Sequence, residues 1–151
     1  MSVSRRKQMD APAVCQALVS WALTQPTVQG VALVGSYARG AARAESDMDI
    51  MILTTAPEGY RENGAWVQDV AWPAEMGLPQ QIQDEDHGAV WSRRVWFAAK
   101  GDEVELSFGL PSWADTTPLD GGTYRVVSDG CRILYDPAAL LEKLLRAVRQ
   151  S

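Results

Sequence analysis

The sequence has little cysteine, little histidine and no apolar run of membrane-spanning length. Its two cysteines are Cys15 and Cys131, and its single histidine is His87. Two cysteines make no disulfide framework, and no Cys/His pair has zinc-ligand spacing. Both are expected as small, buried hydrophobes in a reducing compartment. Basic residues are also scarce: 14 Lys and Arg face 19 Asp and Glu, for a formal net charge of -5. The densest basic run is Arg5-Arg6-Lys7. Nucleic-acid phosphate is repelled by such a balance, so tight nucleic-acid binding is not expected. An acidic balance suits a site that collects divalent cations or a cationic acceptor. The N-terminus lacks the apolar core of a signal peptide, and no segment reads as a membrane span. The expectation is a cytoplasmic protein without membrane attachment.

What is present suits one compact domain. Apolar residues make up 46% of the 151 residues, enough to bury a core. A single domain over residues 1 to 151 is expected, with a core over about 10 to 110 and a helical tail over about 120 to 149. No repeat or linker divides it.

Residues 1 to 9 read as a loose, polar terminus. Asp10 reads as a helix N-cap, with Pro12 in the first turn and Val14, Leu18, Trp21 and Ala22 on one apolar face. Gln25-Pro26 ends that helix. Val31 to Val34 is a short apolar run that suits a buried strand, ended by Gly35-Ser36. Tyr37 to Ala44 is helix-compatible, and Asp47 to Thr54 reads as a second strand. Pro57 to Gly64 reads as a polar loop, Ala65 to Met76 as a short helix, and Gly77 to Gly88 as irregular. Val90 to Ala98 and Glu103 to Gly109 read as strands joined by a turn at Lys100-Gly101-Asp102. A short helix over Gly122 to Asp129 and a strand over Cys131 to Tyr135 follow. A last helix is expected from Asp136-Pro137, with Leu140, Leu141, Leu144, Leu145 and Val148 as its stripe. The fold class is therefore α/β, with a mixed, partly antiparallel sheet flanked by helices.

Chemistry is expected where acidic residues defy the apolar pattern. Asp47 and Asp49 are two apart on a strand and point to one face, while Met48, Ile50 and Ile52 point to the other. Two carboxylates so close repel each other unless a cation lies between them, and Mg²⁺ favours such oxygen ligands. On the later strand, Val104, Leu106 and Phe108 share one face and Glu105 lies on the other, with Glu103 and Ser107. If the two strands are neighbours, Glu105 joins Asp47 and Asp49. Three carboxylates of this kind can hold two metal ions for in-line phosphoryl chemistry. Glu103 shares the face of Glu105 and Asp102 is nearby, so a one-residue slip would change the choice. Gly35-Ser36 lies at an expected strand-to-helix corner where a phosphate can approach the backbone. A helix opening there would offer its N–H groups to the anion.

Gly35-Ser36-Tyr37-Ala38-Arg39-Gly40, followed after six residues by Asp47-Met48-Asp49-Ile50, resembles the signature of the DNA polymerase β-like nucleotidyltransferase superfamily. Minimal nucleotidyltransferases and aminoglycoside nucleotidyltransferases share that core. The resemblance spans roughly residues 10 to 110, with a weaker likeness over Val127 to Asp136. It implies transfer of a nucleoside monophosphate from ATP or another nucleoside triphosphate to a hydroxyl, releasing pyrophosphate. It implies that Asp47, Asp49 and Glu105 hold Mg²⁺, two ions when nucleotide is bound, and that Gly35 and Ser36 contact phosphate. Arg39, inside the motif, is a further nucleotide-binding candidate, with a local salt bridge as its alternative role.

The larger aminoglycoside enzymes add a helical domain for the acceptor, whereas about forty residues follow Glu105 here. The acceptor site is therefore expected from a second copy in a homodimer, another protein, or the segment 57 to 88. Acceptors open on this reading are a HEPN-type toxin partner, as in related toxin–antitoxin pairs, and a small hydroxylated molecule. A non-catalytic nucleotide-binding or interaction module that keeps the fold is the alternative.

Other residues carry plainer readings. Ser36 suits a cap as well as a phosphate contact. His87 is conceivable as a general base but lies beside Asp84, Glu85 and Asp86 in an expected loop, which suits a surface histidine. Arg43, Arg93, Arg94, Arg125 and Arg132 are unranked triphosphate partners. The six tryptophans read as packing residues.

Overall fold

The computed structural model describes residues 8–151. Arg5-Arg6-Lys7 and most of the expected loose terminus lie outside the described residues. Met9, at its end, is buried in the core.

Helix α1 (Ala11–Ala22) begins as its sequence requires: the Asp10 carboxylate accepts from Ala13 N at 3.1 Å, and Pro12 occupies the first turn. Its buried face is Val14, Ala17, Leu18, Trp21 and Ala22. Strands β1 (Val28–Val34) and β2 (Met48–Thr54) follow, each buried along most of its length. Next come the short helices α2 (Pro57–Glu62) and α3 (Trp66–Asp69), a 3₁₀ turn over Ala74–Met76, and β3 (Pro79–Asp86). Strands β4 (Trp91–Phe97) and β5 (Glu103–Gly109) form the expected hairpin. A 3₁₀ turn over Pro111–Ala114, helix α4 (Gly121–Asp129), strand β6 (Cys131–Tyr135) and helix α5 (Leu140–Arg149) complete the chain.

The six strands form one sheet in the order β3-β4-β5-β2-β1-β6. Only the β2–β5 pair is parallel among the described strands; the other four pairs are antiparallel. The sheet is thus mixed, as the sequence led one to expect. Alternation divides it into two faces. Met48, Ile50 and Ile52 pack with Val104, Leu106, Phe108 and α1 in one core. Phe108 stacks between Trp91 and Tyr60, at ring-centroid distances of 4.7 and 5.3 Å, and meets Trp66 edge-on. On the other face, Ala32, Met51 and Leu53 pack beneath Leu141 and Leu144 of α5, Val127 of α4, and Ala114.

Five expectations fail, each for a local reason. Residues 37 to 44 form no helix: Ala38 N and Arg39 N both bond Gly35 O, Ala41 N bonds Ser36 O, and the chain then leaves the turn. Gly40, at φ 71°, redirects it before a second helical turn can close. The polar segment 57 to 64 contains α2, with Pro57 in its first turn, while the helix expected over 65 to 76 is confined to α3 and a 3₁₀ turn. Pro73 and Gly77 interrupt it. Gly77 to Gly88, read as irregular, contains β3, an edge strand pairing with β4 from Pro79 to Asp86. Its residues are mostly exposed, so no apolar alternation marks it. Finally, α5 starts at Leu140 and not at Pro137, because Ala139 adopts φ 58°. Asp136 still serves that helix, accepting from Leu141 N at 3.0 Å and Glu142 N at 2.9 Å.

Both cysteines are free thiols, partly buried, and burial pushes Cys131 up to about 11. Among the described residues no helix is long and apolar enough to cross a membrane.

Candidate active site

Four adjacent strands, β4, β5, β2 and β1, meet at the site. In the antiparallel β1–β2 pair, Val34 faces Asp49; in the parallel β2–β5 pair, Asp49 faces Glu105; across β5–β4, Glu105 faces Arg94. One transverse row therefore carries Asp49, Glu105 and Arg94 at neighbouring positions. Asp47 enters from the residue just before β2. The ligand oxygens of Asp47, Asp49 and Glu105 all lie within 4.8 Å of one another.

The parallel register also separates Glu105 from its sequence neighbours. Glu103 turns to Arg94, accepting from Nη1 at 2.7 Å. Asp102 is 3% exposed and accepts from Lys100 Nζ at 2.7 Å. Neither is part of the three-carboxylate cluster.

Crowding three carboxylates in a half-enclosed site perturbs the innermost. Burial first, then the charges of Asp47 and Glu105, push the Asp49 carboxyl up to about 8. A divalent cation would relieve both penalties by taking the proton's place, so this donor set fits a hard cation.

Gly35 is fixed by this arrangement. It sits at φ 75°, and a Cβ there would stand 2.6 Å from Asp49 Oδ2. The carboxylate thus occupies the space where any other residue would place its side chain. The turn that follows is braced from α4 and β6. Gly130, the C-cap of α4, approaches so closely that a Cβ would meet Gly35 O at 3.1 Å and Arg39 N at 3.2 Å. Arg132 donates to the carbonyls of Ala38 at 3.2 Å and Tyr37 at 3.4 Å. Arg39 is exposed, and its Nη1 reaches the carbonyl of Asp129 at 3.5 Å. Ser36 begins the turn; with no helix following, it is not the N-cap expected of it.

A cavity of about 540 Å³ opens beside the carboxylates, within the range of small-ligand pockets. Asp49, Glu105 and Gly35 form one side; Met51, Val90, Trp113 and Val126 supply apolar wall. Asp120, Asp129 and His87 also reach it, and none of the described lining residues is lysine or arginine. His87 is exposed in the loop after β3, as the surface histidine expected, and it also lines the cavity. Its side chain is 47% exposed, but Nε2 lies 3.6 Å from Glu85 Oε2 and groups with Glu85 and Glu105. Trp113 is the tryptophan that lines the cavity, whereas Trp21, Trp66 and Trp91 are core. Asp120, Asp129 and Trp113 bore no signal in the sequence, since each becomes relevant only when α4 and the preceding 3₁₀ turn fold over β2.

The arginines separate by strand parity. Arg93 is 5% exposed, paired with Asp84 at 2.7 Å and placed over the rings of Trp66 and Trp91, away from the carboxylates. Arg94 faces the other way, into them.

Residues 18–91 match the family described as the nucleotidyltransferase domain. That stretch contains both Gly35-Ser36 and Asp47-Met48-Asp49, and it belongs to the nucleotidyltransferase family of the DNA polymerase β-like superfamily, as its motif implied. The chemistry of that family is nucleotidyl transfer, with a nucleoside triphosphate and a divalent metal. Among solved structures, the chain is similar to the Cid1 poly(U) polymerase, at 18% identity and TM-score 0.43, over 68% of this chain and 32% of that one. It is also similar to the non-canonical poly(A) polymerase complex GLD-2–GLD-3, at 18% identity and TM-score 0.42, over 71% and 37% of the two chains. A third likeness is to the GLD-2/RNP-8 complex, at 16% identity and TM-score 0.42, over 79% and 38%. The chain spans about a third of the length of these structures. No curated protein matches it.

Proposed function

We propose that this chain transfers a nucleoside monophosphate from a nucleoside triphosphate, ATP first among them, to a hydroxyl of a small neutral or cationic acceptor. The observation that carries the reading is the convergence of Asp47, Asp49 and Glu105 beside Gly35. These three carboxylates would hold Mg²⁺, two ions when nucleotide is bound. Bound Mg²⁺ supplies positive charge for the triphosphate and acidity for the attacking hydroxyl. The turn from Gly35 through Ser36 receives the β- and γ-phosphates on its backbone, with the Ser36 hydroxyl as a donor and Arg39 as the nearby cation. The acceptor oxygen bonds to the α-phosphorus, the bond from that phosphorus to the β-phosphate oxygen breaks, and pyrophosphate leaves. The hydroxyl proton passes to Glu105 and then to solvent.

The cavity supports the acceptor class. Its lining combines carboxylates of Asp120 and Asp129 with apolar wall from Val90, Trp113 and Val126. A polyanionic acceptor would be repelled there, while a neutral or cationic molecule with some apolar surface is complementary.

The test is transfer of label from α-labelled ATP with Mg²⁺ into a cell extract, comparing wild type with the Asp47→Asn/Asp49→Asn variant, then repeating with the other nucleotides. Variant-sensitive label on small molecules is the expected result. Variant-sensitive label on a discrete protein would replace the acceptor class with a partner such as a HEPN-type toxin. If no nucleotide gave variant-sensitive label, the enzymatic reading would fall to the non-catalytic binding module.

A further inference from the structure

Arg94 leans on the candidate metal ligands, and nucleotidyl transfer as described above gives it no part. Its Nε donates to Glu85 Oε1 and its Nη1 to Glu103 Oε2, both at 2.7 Å. Its other contacts are longer: Nη2 lies 3.3 Å from Glu105 Oε2, and Nη1 lies 3.7 Å from Asp47 Oδ2. Charge-assisted N–H···O bonds reach full strength at about 2.7 to 2.9 Å, and a separation near 3.7 Å is attraction without a hydrogen bond. The short bonds thus go to carboxylates outside the Asp47, Asp49 and Glu105 cluster, and the long ones go to members of it. The guanidinium is anchored on Glu85 and Glu103 and rests loosely on Asp47 and Glu105.

The residue type matters. A guanidinium keeps its charge at any pH the protein survives, and its planar donors reach several carboxylates at once. Asp47, Glu85, Glu103 and Glu105 all lie within ion-pair reach of this one guanidinium, with Asp49 grouped beside Asp47 and Glu105.

We propose that Arg94 is a positioning residue, the counter-cation of the metal-free site. It holds Asp47 and Glu105 close to Asp49 while no divalent cation is bound. It gives up those two carboxylates when a cation arrives and stays tethered to Glu85 and Glu103. The same positive charge repels a bare dication, so metal binds weakly alone and more tightly with a triphosphate, whose negative charge offsets the guanidinium. This rests on the metal role proposed for Asp47, Asp49 and Glu105.

The test is a Mn²⁺ titration without nucleotide, followed by electron paramagnetic resonance, on wild type and on Arg94→Gln, Arg94→Lys and Asp49→Asn variants whose folding is verified by circular dichroism. Removing one charge from the neighbourhood of a dication in a water-exposed site is worth roughly tenfold in affinity. Arg94→Gln is expected to bind Mn²⁺ about tenfold more tightly, and Arg94→Lys within about threefold of wild type, since the charge is kept. Arg94→Met replaces Arg94→Gln if the latter does not fold. A second readout needs no variant: Mg²⁺ should shift the Nε and Cζ resonances of Arg94 in the wild type. If Mn²⁺ binding depends on Asp49 but folded neutral variants bind no more tightly than wild type, or if the Arg94 resonances do not move, the role given to Arg94 is wrong and the metal site stands. If no protein binds Mn²⁺, the metal role of the three carboxylates falls, and the Arg94 proposal with it.

Discussion

Asp49→Asn is expected to stabilise the metal-free protein, increasingly so as the pH rises. The folded site pushes the Asp49 carboxyl up to about 8 from its ordinary value of 3.8, through burial and the charges of Asp47 and Glu105. Below about pH 4, folded and unfolded chains both hold the proton, and Asp and Asn behave alike. Between about 4 and 8 the unfolded chain releases the proton while the folded chain keeps it, so wild-type stability falls. Above the folded value both states are ionised and the loss is constant. Each pH unit in this window is worth about 1.4 kcal/mol, so the full shift sets a ceiling of about 6 kcal/mol. Solvent reaches the site and Arg94 offsets part of its charge, so about 2 to 3 kcal/mol of that is expected at pH 8. Urea denaturation in chelator, at several values from pH 5 to pH 8, measures it. The advantage of Asp49→Asn over wild type must grow with pH. A difference constant to within about 0.5 kcal/mol across the range would show that Asp49 is not held protonated by this fold.

Three further outcomes follow from the same structure. Gly35→Ala places a methyl 2.6 Å from Asp49 Oδ2 at φ 75°, so a loss of about 1 to 3 kcal/mol in a thermal melt and near-complete loss of label transfer are expected. Millimolar Mg²⁺ with ATP should raise the wild-type melting temperature and leave Asp47→Asn/Asp49→Asn unmoved, since only a ligand that binds the folded state stabilises it. Phe108→Ala removes the ring between Trp91 and Tyr60 in a fully buried position, so urea denaturation should register a loss of about 3 to 5 kcal/mol.

The sequence by itself determined what depends on neighbours along the chain. Two-residue periodicity puts Asp47 and Asp49 on the face opposite Met48, Ile50 and Ile52, and the Gly35-Ser36 corner precedes them at family spacing. Asp10 and the leucines of α5 declare their helices through capping and a one-sided stripe, although Ala139 starts α5 later than Pro137 suggested. Edge strand β3 was illegible because it buries no face, so selection for apolar alternation is absent there. Only the tertiary structure decided that Glu105, and not Glu103, faces Asp49, because a parallel register is set by pairing between strands far apart in the chain. The same holds for Arg94 among the carboxylates, and for His87, Trp113, Asp120 and Asp129 around the cavity. Their roles come from long-range packing of the sheet and α4, and contacts of that kind leave no periodic trace in either partner's own sequence.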